Sequence, residues 1–349
     1  MRATFHKLRV GNVETLTDDS AALTFEVPEH LREAYAFTPG ESLTLRRRIE
    51  GRDERRTYSL CTPAGHPLRI GVRVVPDGLF STWLVRQVKP GDVIEVQPPS
   101  GSFRLLDPTR RHLCIAAGSG ITPMLSIAAT ALHEGGDVTM LYGNRTSATV
   151  MFAEELADLK NSYGERFNLI HVLSREPRDV ELFSGRLDGE RIERLINAFV
   201  PIRAVDHVWV CGPHGLIEQA RETLQWLGVD AERIHYELFY VDEPPPELIR
   251  PEATVQGATT EVTITLDGLS STAEFSRAQT ILDGAQRLRS DLPFACKGGV
   301  CGTCRALVTD GAVDMRRNYA LEPAEVEAGF VLTCQSYPTG ARCAVDYDA

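Results

Sequence analysis

The chain has 349 residues, of which 43% are hydrophobic and 24% are charged, and it carries a net charge of −11. This length predicts two or three domains, and the composition is that of a globular protein. The negative charge argues against nucleic acid as a partner, because phosphate binding requires a basic surface. No run approaches the roughly 18 apolar residues of a membrane span, and the N-terminus has no apolar leader, so we expect a cytoplasmic protein without a membrane partner.

Residues 1–106 predict a small antiparallel β-barrel that consists of short strands and one helix. Turn residues such as Pro39-Gly40 and Pro90-Gly91 separate the apolar runs. The strands are predicted at 22–27, 42–47, 56–60, 68–75 and 93–97, and the helix at 80–88.

One strand of this barrel carries Arg56, Tyr58 and Ser59. A guanidinium, an aromatic ring and a hydroxyl on one extended segment can bind a pyrophosphate and a flat ring system together. Donors near the helix start could bind the same anion. These further candidates are Arg73, Gly78 and Ser81. An ordinary exposed strand and a simple helix cap are the alternatives, because each motif is short.

In residues 107–240 strands and helices alternate, which predicts a doubly wound parallel sheet with helices on both faces. Strands are predicted at 113–117, 138–142, 167–173, 207–211 and 234–239, and helices at 123–133, 151–162, 190–198 and 216–227.

The first of these strands runs into a glycine-rich turn that opens a helix. At such a turn, backbone amides can bind the pyrophosphate of a dinucleotide. The candidate residues are Gly118, Ser119, Gly120, Thr122 and Pro123.

Two other strand ends are candidate ligand sites, because ligands of such sheets bind at the carboxyl ends of the strands. Asn144, Arg145 and Ser147 could hold the adenosine ribose and a 2′-phosphate, with a helix-capping turn as the alternative. A second group could lie near a nicotinamide, with a buried cysteine before a turn as its alternative. This group is Cys211, Gly212 and Pro213.

Residues 241–258 contain four prolines, and we interpret them as a semi-rigid linker. Residues 259–349 predict a smaller α+β domain with strands at 261–266 and 271–275 and a helix at 280–287. From residue 241 onwards there are 16 acidic and 9 basic residues. This excess predicts either an acidic docking face or a merely solvated surface.

The last domain contains Cys296, Cys301 and Cys304 in C-x4-C-x2-C spacing, and Cys334 follows thirty residues later. This is the plant-type spacing for a [2Fe–2S] cluster, in which each iron takes two cysteine thiolates. A zinc site would have two C-x2-C pairs or nearby histidines, and a disulfide framework requires an oxidising compartment. Cys343 is a rival fourth ligand, but we prefer Cys334 because a strand-like segment precedes it.

In this order the motifs resemble the ferredoxin–NADP reductase superfamily, in the branch with a C-terminal plant-type ferredoxin. Within that branch the chain is most similar to the reductase subunits of multicomponent phenylacetyl-CoA epoxidases. The narrower likeness is carried by Tyr142-Gly-Asn-Arg-Thr-Ser147, Gly185-Arg-Leu-Asp-Gly189, Ala295-Cys-Lys-Gly-Gly-Val-Cys301 and Asn318-Tyr-x-Leu-Glu-Pro323. The resemblance implies a FAD-binding barrel, an NAD(P)-binding domain and a β-grasp ferredoxin domain.

The resemblance also implies roles for the candidate residues. The barrel residues would bind FAD, the segment Cys211–Pro213 would lie beside the reacting nicotinamide, and Phe239 would stack on the flavin, although here the chain continues past that point. Arg145 and Ser147 favour NADPH, with NADH possible. Electrons would pass from NADPH through FAD and the cluster to the subunits of a di-iron oxygenase.

Three other functions remain compatible with the sequence. One is a reductase for a ring-hydroxylating or steroid oxygenase that uses NADH. The others are a redox sensor or iron–sulfur carrier with an inactive flavin half, and a disulfide-stabilised binding module.

Overall fold

The computed structural model describes residues 4–49, 52–76, 78–240, 259–289, 291–294, 296–321 and 323–349. The predicted linker at 241–258 lies outside the described residues. Contacts divide the chain into two compact units. The large unit comprises His6–Leu45 and Thr57–Asp242, and the small unit comprises Met1–Phe5, Arg46–Arg56 and Glu243–Ala349.

The first part of the chain forms a six-stranded antiparallel sheet. Its elements are β1 (His6–Thr17), β2 (Ser20–Glu26), β3 (Ser42–Ile49), β4 (Arg52–Ser59), β5 (Arg69–Arg73), α1 (Leu79–Arg86) and β6 (Val93–Val96). The strand order is β4-β3-β6-β1-β2-β5. A bridge between Leu60 and Ile70 joins the two edges, so the sheet closes as the predicted barrel. Its interior is filled by fully buried leucines such as Leu8, Leu23 and Leu45.

A five-stranded sheet follows, in which all neighbouring strands pair in parallel. The strands are β7 (Arg111–Ala117), β8 (Asp137–Asn144), β9 (Phe167–Leu173), β10 (His207–Pro213) and β11 (Ile234–Tyr240). The helices are α2 (Ile121–His133), α3 (Ala153–Tyr163), α4 (Gly189–Phe199) and α5 (His214–Trp226). The order β11-β10-β7-β8-β9 reverses direction between β7 and β10. One apolar core lies on each face, as predicted for a doubly wound sheet.

The small unit contains a third sheet of five strands, in the order β13-β12-β16-β14-β15. Its elements are β12 (Thr259–Leu266), β13 (Leu269–Ser276), α6 (Ile281–Ala285), β14 (Arg305–Met315), α7 (Pro323–Glu327), β15 (Phe330–Leu332) and β16 (Ser336–Asp346). The central strands β12 and β16 run parallel and the other pairs are antiparallel, which is the arrangement of the predicted β-grasp domain. Thr280 caps α6 by accepting a hydrogen bond from the amide of Asp283.

Strand β1 is not predicted by the sequence pattern. It is 12 residues long, but only Leu8 and Val10 are buried, and charged or small residues fill most other positions. The apolar alternation is therefore too short to reveal it. Among the described residues, no helix has the length and apolar character needed to cross a membrane.

Candidate functional site

The glycine-rich turn lies at the point where the strand order of the parallel sheet reverses. After β7 the chain makes one turn of 3-10 helix through Gly118–Gly120 and enters α2 directly. The carbonyl of Gly118 accepts a hydrogen bond from the Tyr142 hydroxyl at 3.0 Å, and the carbonyl of Ser119 accepts one from Thr122 at 3.0 Å. These bonds fix the turn at the carboxyl edge of the sheet, where nucleotides bind in such folds.

Gly120 makes a close backbone approach to the end of β10. A Cβ at this position would overlap the carbonyl oxygen of Cys211 and lie 3.0 Å from the amide nitrogen of Gly212. Only glycine fits here without displacing backbone. The approach brings the glycine-rich turn and the segment Cys211–Pro213 together at the carboxyl edge of the sheet, although they are far apart in sequence.

We expect Gly120→Ala to destabilise the protein by about 2–4 kcal/mol, because the clash involves backbone that cannot rotate away. Urea denaturation measures the effect. The matched control is Gly215→Ala in α5, where a Cβ would meet no atom within 4 Å. That change should stabilise the helix slightly, by under about 1 kcal/mol. Equal stability of the two variants would contradict the close approach.

Strand β11 brings a carboxyl group to the same edge. Glu237 accepts a hydrogen bond from the Ser59 hydroxyl at 3.1 Å and pairs with Cys211 in the strand register. Burial raises the pKa of Glu237 to about 7, and the Ser59 hydrogen bond opposes this rise. Burial, with a contribution from the Glu237 charge, raises the pKa of Cys211 well above its usual value. This edge of the sheet thus holds a buried, neutral thiol beside a buried carboxyl group whose pKa is about 7.

Glu237 is a residue that the sequence reasoning missed. The available signal is a single acidic residue inside the otherwise largely apolar strand β11, two positions before Phe239. Phe239 itself is partly buried and packs against the apolar cluster that contains Cys211 and Trp209.

The predicted flavin-binding residues of the barrel make different kinds of contact: an aromatic contact, hydrogen bonds within a turn, and an ion pair. The Tyr58 ring lies 6.4 Å from the Phe80 ring, between centroids. The hydroxyl of Ser81 accepts a hydrogen bond from the amide of Val75 and donates to the carbonyl of Gly78, so it shapes the turn before α1. Arg56 belongs to the small unit, where its guanidinium is 3.1 Å from Glu54.

The structure places Arg73 beside the glycine-rich turn between β7 and α2. Its guanidinium pairs with Asp19 at 3.1 Å, donates to the carbonyl of Thr149 and lies next to Gly118. The Arg73 side chain is only 13% exposed. Because it contacts both Asp19 of the barrel and Thr149 after β8, it links the barrel to the parallel-sheet domain.

The candidates after β8 lie at the same edge. Asn144 is 8% exposed, and among the described residues its amide group makes no hydrogen bond of good geometry. An unsatisfied buried amide at this edge of the sheet is the kind of group that a polar ligand would satisfy. The guanidinium of Arg145 lies 3.7 Å from Asp19. Ser147 donates two hydrogen bonds to Glu176, from its amide at 2.7 Å and from its hydroxyl at 2.8 Å.

In the small unit, the four predicted ligands form two thiol pairs. A hydrogen bond between Cys296 and Cys301 lowers the pKa of Cys296 to about 5 and raises that of Cys301. The bond between Cys304 and Cys334 likewise lowers the pKa of Cys334 and raises that of Cys304. Two pairs fit a binuclear cluster with two cysteines on each iron. Cys343 lies elsewhere, buried in the apolar core and opposite Val262.

The backbone around these thiols also fits a cluster. The amides of Gly298 and Cys301 point at the Cys296 sulfur, at 3.3 and 3.4 Å. Gly299 has a φ of +80°, which a residue with a Cβ rarely adopts. The Gln335 amide lies 3.7 Å from the Cys334 sulfur. The loop therefore directs hydrogen-bond donors at sulfur, as iron–sulfur sites do.

Three family models match the chain in succession. They are an oxidoreductase FAD-binding domain at residues 7–105, an oxidoreductase NAD-binding domain at 114–222 and a 2Fe-2S iron-sulfur cluster binding domain at 264–339. One of the subunits of the 1,2-phenylacetyl-CoA epoxidase of Escherichia coli K12 is 40% identical over 353 residues, covering 99% of this chain and 98% of that protein. The chain belongs to the ferredoxin–NADP reductase superfamily, in the branch with a C-terminal [2Fe–2S] ferredoxin domain.

Other relatives agree with this membership. The ferredoxin reductase component of the 3-ketosteroid-9-alpha-monooxygenase of Rhodococcus rhodochrous is 31% identical, with 97% of this chain and 96% of that protein covered. Phthalate dioxygenase reductase shares the fold, with a TM-score of 0.65 at 23% identity and 98% coverage of both chains. The protein is thus an NAD(P)H-dependent oxidoreductase with FAD and a [2Fe–2S] cluster, and relatives such as the 3-ketosteroid monooxygenase component are reductase components of oxygenases.

The chemistry of this reductase is divided between its cofactors and its residues. FAD and the cluster, when bound, convert a two-electron hydride into single electrons. The glycine-rich turn and the Asn144 amide would be the donors available to a nucleotide at this edge of the sheet. Glu237 and Ser59 place a titratable carboxyl group at the carboxyl edge of the sheet, next to the buried thiol of Cys211.

Proposed function

We propose that this reductase passes electrons from NADPH through FAD and the [2Fe–2S] cluster to the di-iron oxygenase subunits of a phenylacetyl-CoA epoxidase in aerobic phenylacetate degradation. The observation that carries the proposal is the 40% identity to the Escherichia coli epoxidase component along 99% of the chain. The second candidate is a reductase for a steroid or ring-hydroxylating oxygenase that uses NADH, and the 31% identity to the 3-ketosteroid monooxygenase component favours it.

The site assignments are part of this proposal. FAD would contact the barrel residues, the nicotinamide would lie beside Cys211 and Phe239, and the paired cysteines would hold the cluster. The residues proposed for FAD are Arg56, Tyr58, Ser59, Arg73, Gly78 and Ser81. The acidic C-terminal region would serve as the docking face for the oxygenase.

Basic side chains at the carboxyl ends of β8 and β9 support the choice of NADPH. Arg145 follows β8, and Arg175 and Arg178 follow β9. The exposed guanidinium groups of Arg145 and Arg178 are suited to a 2′-phosphate. The amide and hydroxyl of Ser147 are further donors of the kind that a phosphate requires. The carboxylate of Glu176 is the opposing feature.

A reconstituted assay tests both the partner and the nucleotide. With the epoxidase oxygenase subunits, we expect NADPH-dependent turnover of phenylacetyl-CoA, and kcat/KM for NADPH at least about tenfold above that for NADH. NADPH-dependent cytochrome c reduction is the control that the reductase itself is active. Active reductase that drives a 3-ketosteroid oxygenase but not the epoxidase would contradict the proposed partner, and a preference for NADH would contradict the proposed nucleotide.

A further inference from the structure

The carboxylate of Glu176 occupies the donors that a 2′-phosphate would need. One of its oxygens accepts two hydrogen bonds from Ser147, from the amide at 2.7 Å and from the hydroxyl at 2.8 Å. Its other oxygen lies 4.0 Å from the guanidinium of Arg178. The hydrogen bonds from Ser147, followed by the Arg178 charge, hold the pKa of Glu176 below its usual range, so the group is a carboxylate at neutral pH.

The backbone keeps this carboxylate opposite Ser147. Beyond the ends of β8 and β9, the amide of Ser174 donates to the carbonyl of Asn144 at 2.9 Å, and the amide of Arg175 donates to the carbonyl of Arg145 at 2.7 Å. The two loops therefore continue the pairing of their strands. The Glu176 side chain is still 32% exposed, so it can rotate into solvent without breaking these backbone bonds.

A carboxylate and a phosphate compete directly for such a site. Both are anions that can accept hydrogen bonds from the amide and the hydroxyl of Ser147. They also repel each other, because two unit negative charges about 4 Å apart interact unfavourably by about 1 kcal/mol in water and by more near a protein surface. A ribose 2′-hydroxyl behaves differently, because it is neutral and can donate to a carboxylate. The Glu176 carboxylate would thus weaken the binding of NADPH but not that of NADH.

We propose that Glu176 is an intramolecular competitor for the 2′-phosphate of NADPH. It holds the Ser147 donors until a 2′-phosphate displaces it, and so it lowers the affinity for NADPH selectively and sets the ratio between the two nucleotides. This inference rests on the proposed function, because it takes the adenosine end of the nucleotide to lie at the carboxyl ends of β8 and β9.

Binding of nucleotide fragments to the holoprotein tests the competition without electron transfer. In Glu176→Gln the amide oxygen can still accept from Ser147, but the negative charge is gone. We expect this variant to bind 2′,5′-ADP about tenfold more tightly than the wild type, which is about 1.4 kcal/mol. Its affinity for 5′-ADP should change less than about twofold. Isothermal titration calorimetry measures both constants.

Asp179→Asn is the matched control. Asp179 is exposed, lies three positions further along the same loop, and makes no hydrogen bond or ion pair with any residue that the structure describes. Its neutralisation removes the same charge without touching Ser147, so we expect less than about a twofold change for either ligand.

The outcomes separate the two proposals. The competition is supported if Glu176→Gln binds 2′,5′-ADP more tightly than the wild type while Asp179→Asn does not, and if 5′-ADP binding is unchanged in both variants. Unchanged binding, equal tightening for both ligands, or the same gain in Asp179→Asn would overturn it. If wild-type protein bound neither fragment, the nucleotide site of the proposed function would be wrong as well.

Discussion

Replacement of Cys301 by serine is expected to end electron delivery beyond the flavin while flavin reduction by NADPH continues. Cys301 is the most exposed of the four paired thiols and shares an iron with Cys296 in the proposed arrangement. A serine hydroxyl is not deprotonated at neutral pH, so the cluster loses a ligand and is not retained. Cytochrome c reduction should fall by about 100-fold or more, while ferricyanide reduction through the flavin should stay within about twofold.

Cys343→Ser provides a matched control for this experiment. Cys343 is buried in β16, outside both thiol pairs, and was the rival fourth ligand in the sequence. The control variant should retain two irons per chain and its visible spectrum. A cluster that survives Cys301→Ser, or one that is lost in Cys343→Ser, would contradict the ligand set. Loss of FAD from Cys301→Ser would contradict the independence of the two sites.

Replacement of Glu237 by glutamine is expected to slow hydride transfer by about 10- to 100-fold. When a nicotinamide loses hydride its ring becomes positive, and with the nicotinamide beside Cys211 as proposed, the ionised Glu237 carboxylate would stabilise that charge. The Glu237 pKa is raised to about 7, so the ionised form appears as pH rises through 7. The rate of flavin reduction in the wild type should therefore increase between about pH 6 and 8.

The glutamine variant should show a low rate that does not vary with pH over this range. Stopped-flow absorbance of the flavin band measures both proteins under single-turnover conditions. Ser59→Ala is the companion variant, because it removes the hydrogen bond that opposes the raised pKa. It should move the midpoint of the profile to higher pH without abolishing the dependence. An unchanged profile in Glu237→Gln would contradict the role of this carboxyl.

The same raised pKa predicts the direction in which this group affects stability. Glu237 binds its proton more tightly in the folded chain than in the unfolded chain. Its contribution is therefore fully present below the unfolded pKa of 4.5 and is lost as pH rises through about 7. The contribution to stability is thus lost between about pH 4.5 and 7, while the expected rise in rate is centred near pH 7, so the two effects overlap only around neutral pH.

The parts of the fold that are specified locally could be predicted from the sequence. Strand β9 has the predicted bounds because it is a short apolar run between polar turns. The glycine-rich turn and the cysteine loop are likewise short segments whose spacing reflects their own geometry. Strand β1 was missed because only two of its twelve residues, Leu8 and Val10, are buried.

The parts that depend on tertiary pairing could not be predicted. The hydrogen bond between Ser59 and Glu237 joins residues 178 positions apart, and the sequence around either residue does not indicate that the two are in contact. Arg73 looks like an anion ligand in the sequence, but its partners Asp19 and Thr149 are set by the way that the barrel packs on the parallel sheet. Glu176 is one of many loop carboxylates until the pairing of β8 and β9 places it opposite Ser147.

The close approach of Gly120 to Cys211 has an entropic consequence. Two backbone segments in contact cannot move independently, so the contact with Cys211 holds the glycine-rich turn in place, and a nucleotide bound there as proposed would meet amides that are already ordered. A site that needs no ordering loses little of its binding free energy to conformational entropy. With the nucleotide bound at this turn as proposed, rigidity at Gly120 would favour its exchange in every catalytic cycle.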